Sequence, residues 1–311
     1  MRKSISIFLF LIFILSINLF SQVNEEWVRI YNGEGYNNMP SAMVVDSAGN
    51  VYVTGYSGTT YGVDNYDYVI VGYNTNGTEL FETRFNGHGG LIDIPYAMCY
   101  DGNYLYVTGL SKYNASITAA LTLKLNLNGQ VIWAKYCINS GSRVTEGDVI
   151  STDNAGNVYV AGMRGGGGLA FYLKIIKYSY AGDTIWVNTY PDRFVNTDNP
   201  IGMKTDALGN VYVSASCSGN FSSTWNITTL KYNTNGQLMW VRLYDSTSII
   251  ADAFRGMSTD QYGNSVVMGY RQVTWGSHIV IIYYDQNGQE LRSFLYPSNP
   301  GGFYFAKDIY S

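Results

Sequence analysis

Short bursts of apolar and polar residues, each closed by a glycine-bearing turn, recur along this chain. In "DVISTDNAGNVYVAG", residues 148–162, the run VIST leads into D-N-A-G-N and VYVAG leads out of it. β-Branched and aromatic residues dominate both arms, as they do in half-buried strands. Asp153 is placed to accept backbone N–H bonds and Gly156 to take a positive φ, so the two arms are predicted to form a hairpin. Further on, "FYLKIIKYS" and "TIWVNTY" flank the turn "YAGD" and predict a second hairpin. The unit reads as four short antiparallel strands, and no stretch beyond the N-terminal segment has a helical period.

The unit repeats. Near-copies of the first turn phrase begin at Asp46, Asp101, Asp206 and Asp260, and its asparagines, Asn50, Asn103, Asn157, Asn210 and Asn264, are spaced by 53, 54, 53 and 54. The second turn runs in step, with Gly77, Gly129, Gly182, Gly236 and Gly288 spaced by 52, 53, 54 and 52. Two independent markers thus give five complete repeats of about 53 residues, over roughly 40–86, 95–136, 146–190, 199–244 and 253–296. Four-stranded repeats of this length predict an all-β fold, a β-propeller of antiparallel blades. "NEEWVRIY", with a strand at 24–31, matches a fourth strand with no blade before it, and "GGFYFAKDIYS", with a strand at 303–310, matches a first strand. Paired, they predict a partial closing blade. Either that blade is incomplete or the sequence stops before the C-terminus of a larger propeller, and the break in mid-phrase favours the second.

The combination D-x-x-G-N-[VS]-[YV]-V, then [KY]-[YL]-[ND], then G-x-x-x-W resembles the SBBP repeat, the β-propeller repeat of secreted and cell-surface bacterial proteins. The resemblance covers residues 40–296. The second unit shortens its turn to Asp101, Gly102 and Asn103, and Phe81 and Arg292 stand where the other units have Trp133, Trp186 and Trp240. A pyrroloquinoline-quinone-type propeller shares the "GNVYV" cadence and is the runner-up family.

Composition agrees with a packed β protein: 46% of the 311 residues are hydrophobic and 14% charged. The N-terminus changes the picture. Arg2 and Lys3 precede an apolar run from Ile5 to Phe20, and "LFSQ" offers cleavage after Ser21, the layout of a secretory signal peptide at 1–21 with the propeller in 22–311. The run is shorter than the roughly 20 apolar residues of a spanning helix. A secreted or cell-surface location is expected, with the periplasm open, and no membrane span after cleavage. Loss of Arg2 and Lys3 moves the net charge from -4 to -6, which gives no reason to expect nucleic acid. Cys99, Cys137 and Cys217 are odd in number and irregular in phase, so buried small apolar roles are expected, with one bridged pair as the alternative.

Turns between strands one and two and between three and four are short and uniform; the other connections vary and share the opposite face, where binding is usually placed. On that face Tyr61, Trp225 and Trp275 are candidates to stack on sugar rings or peptide groups. Asp64, Asp93, Asp192 and Asp198 are candidates to accept from hydroxyls. The turn aspartates lack the spacing of a calcium loop and read as turn residues, and the periodic tryptophans read as packing between blades. "GGGG" at 165–168 lacks the ending of a phosphate loop. Neither G-x-S-x-G nor a recurrent histidine is present, so no catalytic residue, metal or cofactor is expected. The chain reads as a non-catalytic binding or structural module with a glycan or protein partner. A propeller glycoside hydrolase or polysaccharide lyase is the second reading, a quinone-dependent dehydrogenase the third.

Overall fold

The computed structural model describes residues 25–33, 37–58, 65–138, 144–165, 171–194, 202–217, 225–244, 251–273 and 276–297. The signal segment and the predicted strand at 303–310 lie outside them. Among the described residues there is no helix, and every strand belongs to one of five antiparallel blades. Blade one is β1 (Met39–Val45), β2 (Val51–Gly58), β3 (Tyr66–Tyr73) and β4 (Glu79–Phe85). Blade two is β5 (Asp93–Tyr100), β6 (Tyr104–Asn114), β7 (Ile117–Asn126) and β8 (Val131–Cys137). In blade three the first strand is split into β9 (Val144–Thr145) and β10 (Val149–Thr152), followed by β11 (Val158–Gly165), β12 (Phe171–Tyr178) and β13 (Thr184–Phe194). Blade four is β14 (Gly202–Thr205), β15 (Val211–Cys217), β16 (Asn226–Tyr232) and β17 (Leu238–Tyr244). Blade five is β18 (Ala251–Thr259), β19 (Ser265–Val273), β20 (Gly276–Tyr284) and β21 (Glu290–Tyr296).

The first turn of each blade is fastened by its aspartate. Asp153 Oδ1 accepts from the Ala155 and Asn157 amides at 3.0 and 2.9 Å, and Oδ2 accepts from Asn157 Nδ2 and the Tyr159 hydroxyl at 2.8 and 3.1 Å. Asp46 and Asp206 do the same in their blades. One carboxylate thereby satisfies the backbone donors that a tight turn leaves without ladder partners.

First strands touch first strands in succession, β1 with β5, β5 with β10, β10 with β14 and β14 with β18, so they surround the axis; β18 and β1 make no comparable contact. Blades pack face to face, and the outer-strand tryptophan of one blade covers the second turn of the next. Trp133 Nε1 donates to Tyr180 O, Trp186 Nε1 to Thr234 O and Trp240 Nε1 to Gln286 O, at 3.1 to 3.2 Å. A side chain on Gly236, held at φ +80°, would come within 2.8 Å of the Trp186 indole, so this turn needs glycine for its conformation and for its neighbour. A lysine on the third strand adds a second bond. Lys177 is buried, lies 4.9 Å over the Tyr159 ring and 3.6 Å from Asp153, and donates to Thr234 O and Oγ1 of blade four at 3.1 and 2.6 Å. Lys124 reaches Tyr180 O and Lys231 reaches Gln286 O in the same way.

The strand expected at 24–31 is not part of a sheet, because no third strand lies beside it among the described residues. Its side chains nonetheless take the outer-strand position. Trp27 Nε1 donates to Thr75 O at 2.9 Å and Arg29 Nε to Gly77 O at 2.5 Å, and Trp27 and Tyr31 pack on Val69, Val71 and Tyr73. Cys99 and Cys137 carry free thiols. Cys217 is buried, and burial pushes the Cys99 thiol well above its usual value, consistent with small apolar roles.

Candidate functional site

At the end of the blades opposite the tight turns, the inner strands of blades one, two, three and five carry an irregularity. Ladders skip a residue between Pro40 and Ala42, between Pro95 and Ala97 and between Phe254 and Gly256, and in blade three the strand breaks across Glu146–Asp148. A bulge leaves one residue unpaired and re-aims it. The second strand must yield room: a Cβ on Gly55, Gly109, Gly162 or Gly269 would lie 2.0 to 2.3 Å from a carbonyl oxygen of the inner strand. Counting from the ladder pairs Ala42 with Thr54, Ala97 with Thr108, Val149 with Ala161 and Gly256 with Met268, the residues set free are Ser41, Tyr96, Asp148 and Arg255. A uniform scaffold thus presents a hydroxyl, a phenol, a carboxyl and a guanidinium at one equivalent position.

The electrostatics of this end are unusual for surface groups. Burial pushes the Asp148 carboxyl up to about 7, the neighbouring Glu146 charge adds to the rise, and the Met163 amide, donating at 3.1 Å, opposes it. Burial likewise raises Glu146. The Tyr96 phenol is raised by burial and then by the charges of Glu146 and Asp148. Arg255 Nη2 donates to the Tyr270 hydroxyl at 2.8 Å, with the guanidinium 4.7 Å from that ring. Tyr56 meets Tyr66 edge-on at 5.0 Å. Blade two adds an aromatic platform: His88 stacks on Tyr113 at 4.1 Å, and Tyr113 meets Tyr136 edge-on at 5.6 Å.

The residues singled out from the sequence fall as follows. Tyr61, Asp64, Asp198, Trp275 and the side chain of Asp192 lie outside the described residues. Asp93 opens β5 fully buried, accepts from the Gly87 amide at 2.6 Å, and burial pushes its carboxyl up to about 6. It holds the loop that enters blade two. Trp225 is half-buried, and its carbonyl accepts from the Asp252 amide at 2.7 Å, which ties blade four to blade five. Sequence reading missed Tyr96, Glu146, Asp148, Arg255 and the His88–Tyr113 stack. A signal existed for the bulge set: when the repeats are aligned on their turns, this position changes chemistry from unit to unit while its neighbours stay apolar. Among the described residues no group of three histidine, cysteine, aspartate or glutamate side chains is placed to hold a metal ion.

Five four-stranded antiparallel blades, with inner strands in serial contact around an axis and one interblade bonding scheme repeated, define a β-propeller. Its repeat is of the SBBP type: residues 26–60, from the Trp27 segment through β2, match the family model of the SBBP β-propeller repeat. No curated protein matches the chain. Among solved structures, a PL25 polysaccharide lyase described as an ulvan lyase superposes with a TM-score of 0.50 at 10% identity over 83% of this chain and 70% of that one. A lignostilbene dioxygenase from Pseudomonas brassicacearum gives 0.50 at 12% identity over 86% of this chain and 65%, less than two thirds, of that one. At such identities the likeness establishes the fold alone. No helix among the described residues is long and apolar enough to cross a membrane.

Proposed function

We propose that this protein is an exported, secreted or cell-surface binding propeller that holds the loop end of its blades against a glycan or protein partner. The observation that carries the reading is the inner-strand irregularity: equivalent in position in blades one, two, three and five, yet bearing Ser41, Tyr96, Asp148 and Arg255 in turn. Structure is repeated there and chemistry is not, as expected where a scaffold is kept and a surface is specialised. The platform of His88 and Tyr113 supplies a stacking face at the same end, and phenols and carboxyls supply hydrogen bonds to hydroxyl or amide groups. The test is a binding screen of the chain from Gln22 onward against soluble polysaccharides, with product analysis of every polymer retained. Retention without cleavage, weakened at least tenfold by Tyr96→Ala or Tyr113→Ala with the melting temperature unchanged, is the expected result.

One observation favours the second reading, a hydrolase or lyase. A carboxyl raised to about 7 beside a second raised carboxyl and a phenol is poised for proton transfer near neutral pH. Shortened polymer in the same screen, abolished by Asp148→Asn, replaces the binding reading with this one.

A further inference from the structure

The first turns of the blades are uniform in length at every place but one. Leu105 pairs with Tyr100 across the hairpin of blade two as Val158 pairs with Thr152 in blade three, yet three residues separate Asp101 from Leu105 where four separate Asp153 from Val158. The missing residue changes the bonding around the carboxylate. Tyr104 stands where the other turns have asparagine, so Asp101 Oδ2 has no side-chain amide of the Asn157 kind. Lys124, whose counterpart Lys177 lies 3.6 Å from Asp153, sits instead 4.0 Å over the Tyr104 ring and 3.0 Å over the Tyr180 ring. The Tyr106 hydroxyl donates to Asp101 Oδ2 at 2.7 Å, and among the described residues it does not reach the next turn as Tyr159 reaches Gly209 O at 2.7 Å and Tyr212 reaches Gly263 O at 2.8 Å. Between the turns of blades two and three lies a cleft of about 460 Å³, lined by Tyr100, Asp101, Asn103, Asn154, Gly156 and Tyr180.

We propose that this cleft binds one neutral pyranose ring of a saccharide, at the end of the propeller opposite the bulges. Its acceptors suit hydroxyl donors. A carboxylate has about four acceptor positions, and Asp101 fills two at Oδ1, from the Asn103 and Tyr104 amides at 2.8 Å, and one at Oδ2. Gly156 O is the acceptor whose equivalents at Gly209 and Gly263 are filled by a tyrosine of the preceding blade, so a ligand hydroxyl takes that bond. The exposed amides of Asn103 and Asn154 offer donors and acceptors to vicinal hydroxyls. Tyr180 is 47% exposed and stands where the other blades have Thr75, Leu127, Thr234 and Gln286, so an aromatic ring is added beside the one shortened turn, with an apolar body on which the C–H side of a sugar can stack. Charge selects against other ligands. An ammonium would meet Lys124, already over the Tyr180 ring, and a carboxylate or sulfate would meet Asp101. The cleft is separate from the loop-end surface and owes nothing to it.

Saturation-transfer NMR on the full chain tests this with methyl glycosides of glucose, galactose, mannose, fucose and xylose, beside the charged glucuronide and glucosaminide. At least one neutral glycoside is expected to bind with a dissociation constant on the order of 1 mM, since a single ring has few atoms to bind with. Two variants locate it. Tyr180→Thr removes the ring and keeps the carbonyl that accepts from Lys124 and Trp133. Replacing residues 101–104 by D-N-A-G-N, the turn of blade three, restores the length that closes the other turns. Each change is expected to weaken binding at least about tenfold with the melting temperature not lowered; if the replaced turn lowers it, Tyr180→Thr alone decides. No transfer to any neutral glycoside at about 10 mM overturns the proposal, and so does preference for the glucuronide or the glucosaminide. Binding that survives a stably folded variant overturns it as well, and its loss in Tyr113→Ala would then assign the sugar to the loop end.

Discussion

The interfaces between blades two and five and the two outermost faces of the array are built from the same repeat and solved differently. Between neighbouring inner blades a lysine, a tyrosine and a tryptophan of one blade reach the turns of the next: Lys177, Tyr159 and Trp186 bond to Thr234 O, Gly209 O and Thr234 O. In blade five the corresponding residues are Tyr283, Val266 and Arg292. They turn on one another, with the Arg292 guanidinium 4.5 Å over the Tyr283 ring and 5.5 Å from Phe294. Blade one, at the other margin, keeps its turn bonded through Trp27 and Arg29. The lesson is that the period of this sequence is a period of interfaces. In blades two to four lysine, tyrosine and tryptophan recur, and a following turn accepts the lysine and the tryptophan. Blade one sets Phe81 and Thr83 against Gly129 of blade two instead, and blade five, whose trailing face meets no further described blade, has replaced all three.

The sharpest way to break this comparison is to remove a tryptophan on each side of it. Trp186 lies between the Tyr159 and Tyr232 rings at 6.0 and 6.3 Å and covers Gly236, so Trp186→Ala opens a cavity between two blades and is expected to cost about 3 kcal/mol. Trp27 packs against blade one alone, and Trp27→Ala is expected to cost about 1 kcal/mol. Urea denaturation followed by tryptophan fluorescence reads both; equal midpoints for the two variants would end the distinction between interior and margin. An effect between these two is expected from the lysine. Lys177→Met keeps the stem that packs on Tyr159 but strands the Thr234 acceptors and the Asp153 carboxylate, costing about 2 kcal/mol. The reverse change at the margin, Tyr283→Lys, should lower the midpoint slightly, because it loses the Arg292 stack and meets no turn among the described residues. A gain in stability there would mean that a turn acceptor does lie beyond blade five.

The five complete repeats, their strand order and the positions of both turns were legible in the sequence because each rests on a local rule written five times. Asp153 with Gly156, or Asn233 with Gly236, fixes a turn from within five residues, and tertiary packing has no reason to override it. The tryptophans were legible as packing because a ligand cage has no cause to recur with the period. The bulge was not: it shows only when the inner strand is set against Gly162 across the ladder, and a lone glycine after VYVA reads equally well as a strand end. Asp93 and Trp225 were picked for chemistry that their loop positions advertise. The hydrogen bonds that make one a loop anchor and the other an interblade tie depend on Gly87 and Asp252, which no spacing rule links to them. Lys177 was passed over altogether, since an interior-facing lysine in a strand looks like a solvent-facing one until the neighbouring turn is in place.

The finest difference between interior and margin is electrostatic. Asp148 sits at the bulge of blade three with its pKa near 7, while Ser41 holds the same position in blade one and is exposed. A carboxyl near 7 in the folded state and about 3.9 unfolded binds more protons when folded over that interval. Its contribution to stability is therefore present at low pH and is lost as pH rises from about 4 to about 7. Asp148→Asn removes this loss: the melting temperature is expected to match the unaltered chain at pH 4.5 and to exceed it by a few degrees at pH 8. Ser41→Asp places a carboxyl at the margin, where solvent screens it, and should add no such slope. If Ser41→Asp instead acquires the same pH dependence, the bulge of blade one is shielded from solvent as that of blade three is, and the distinction between interior and margin fails at this position.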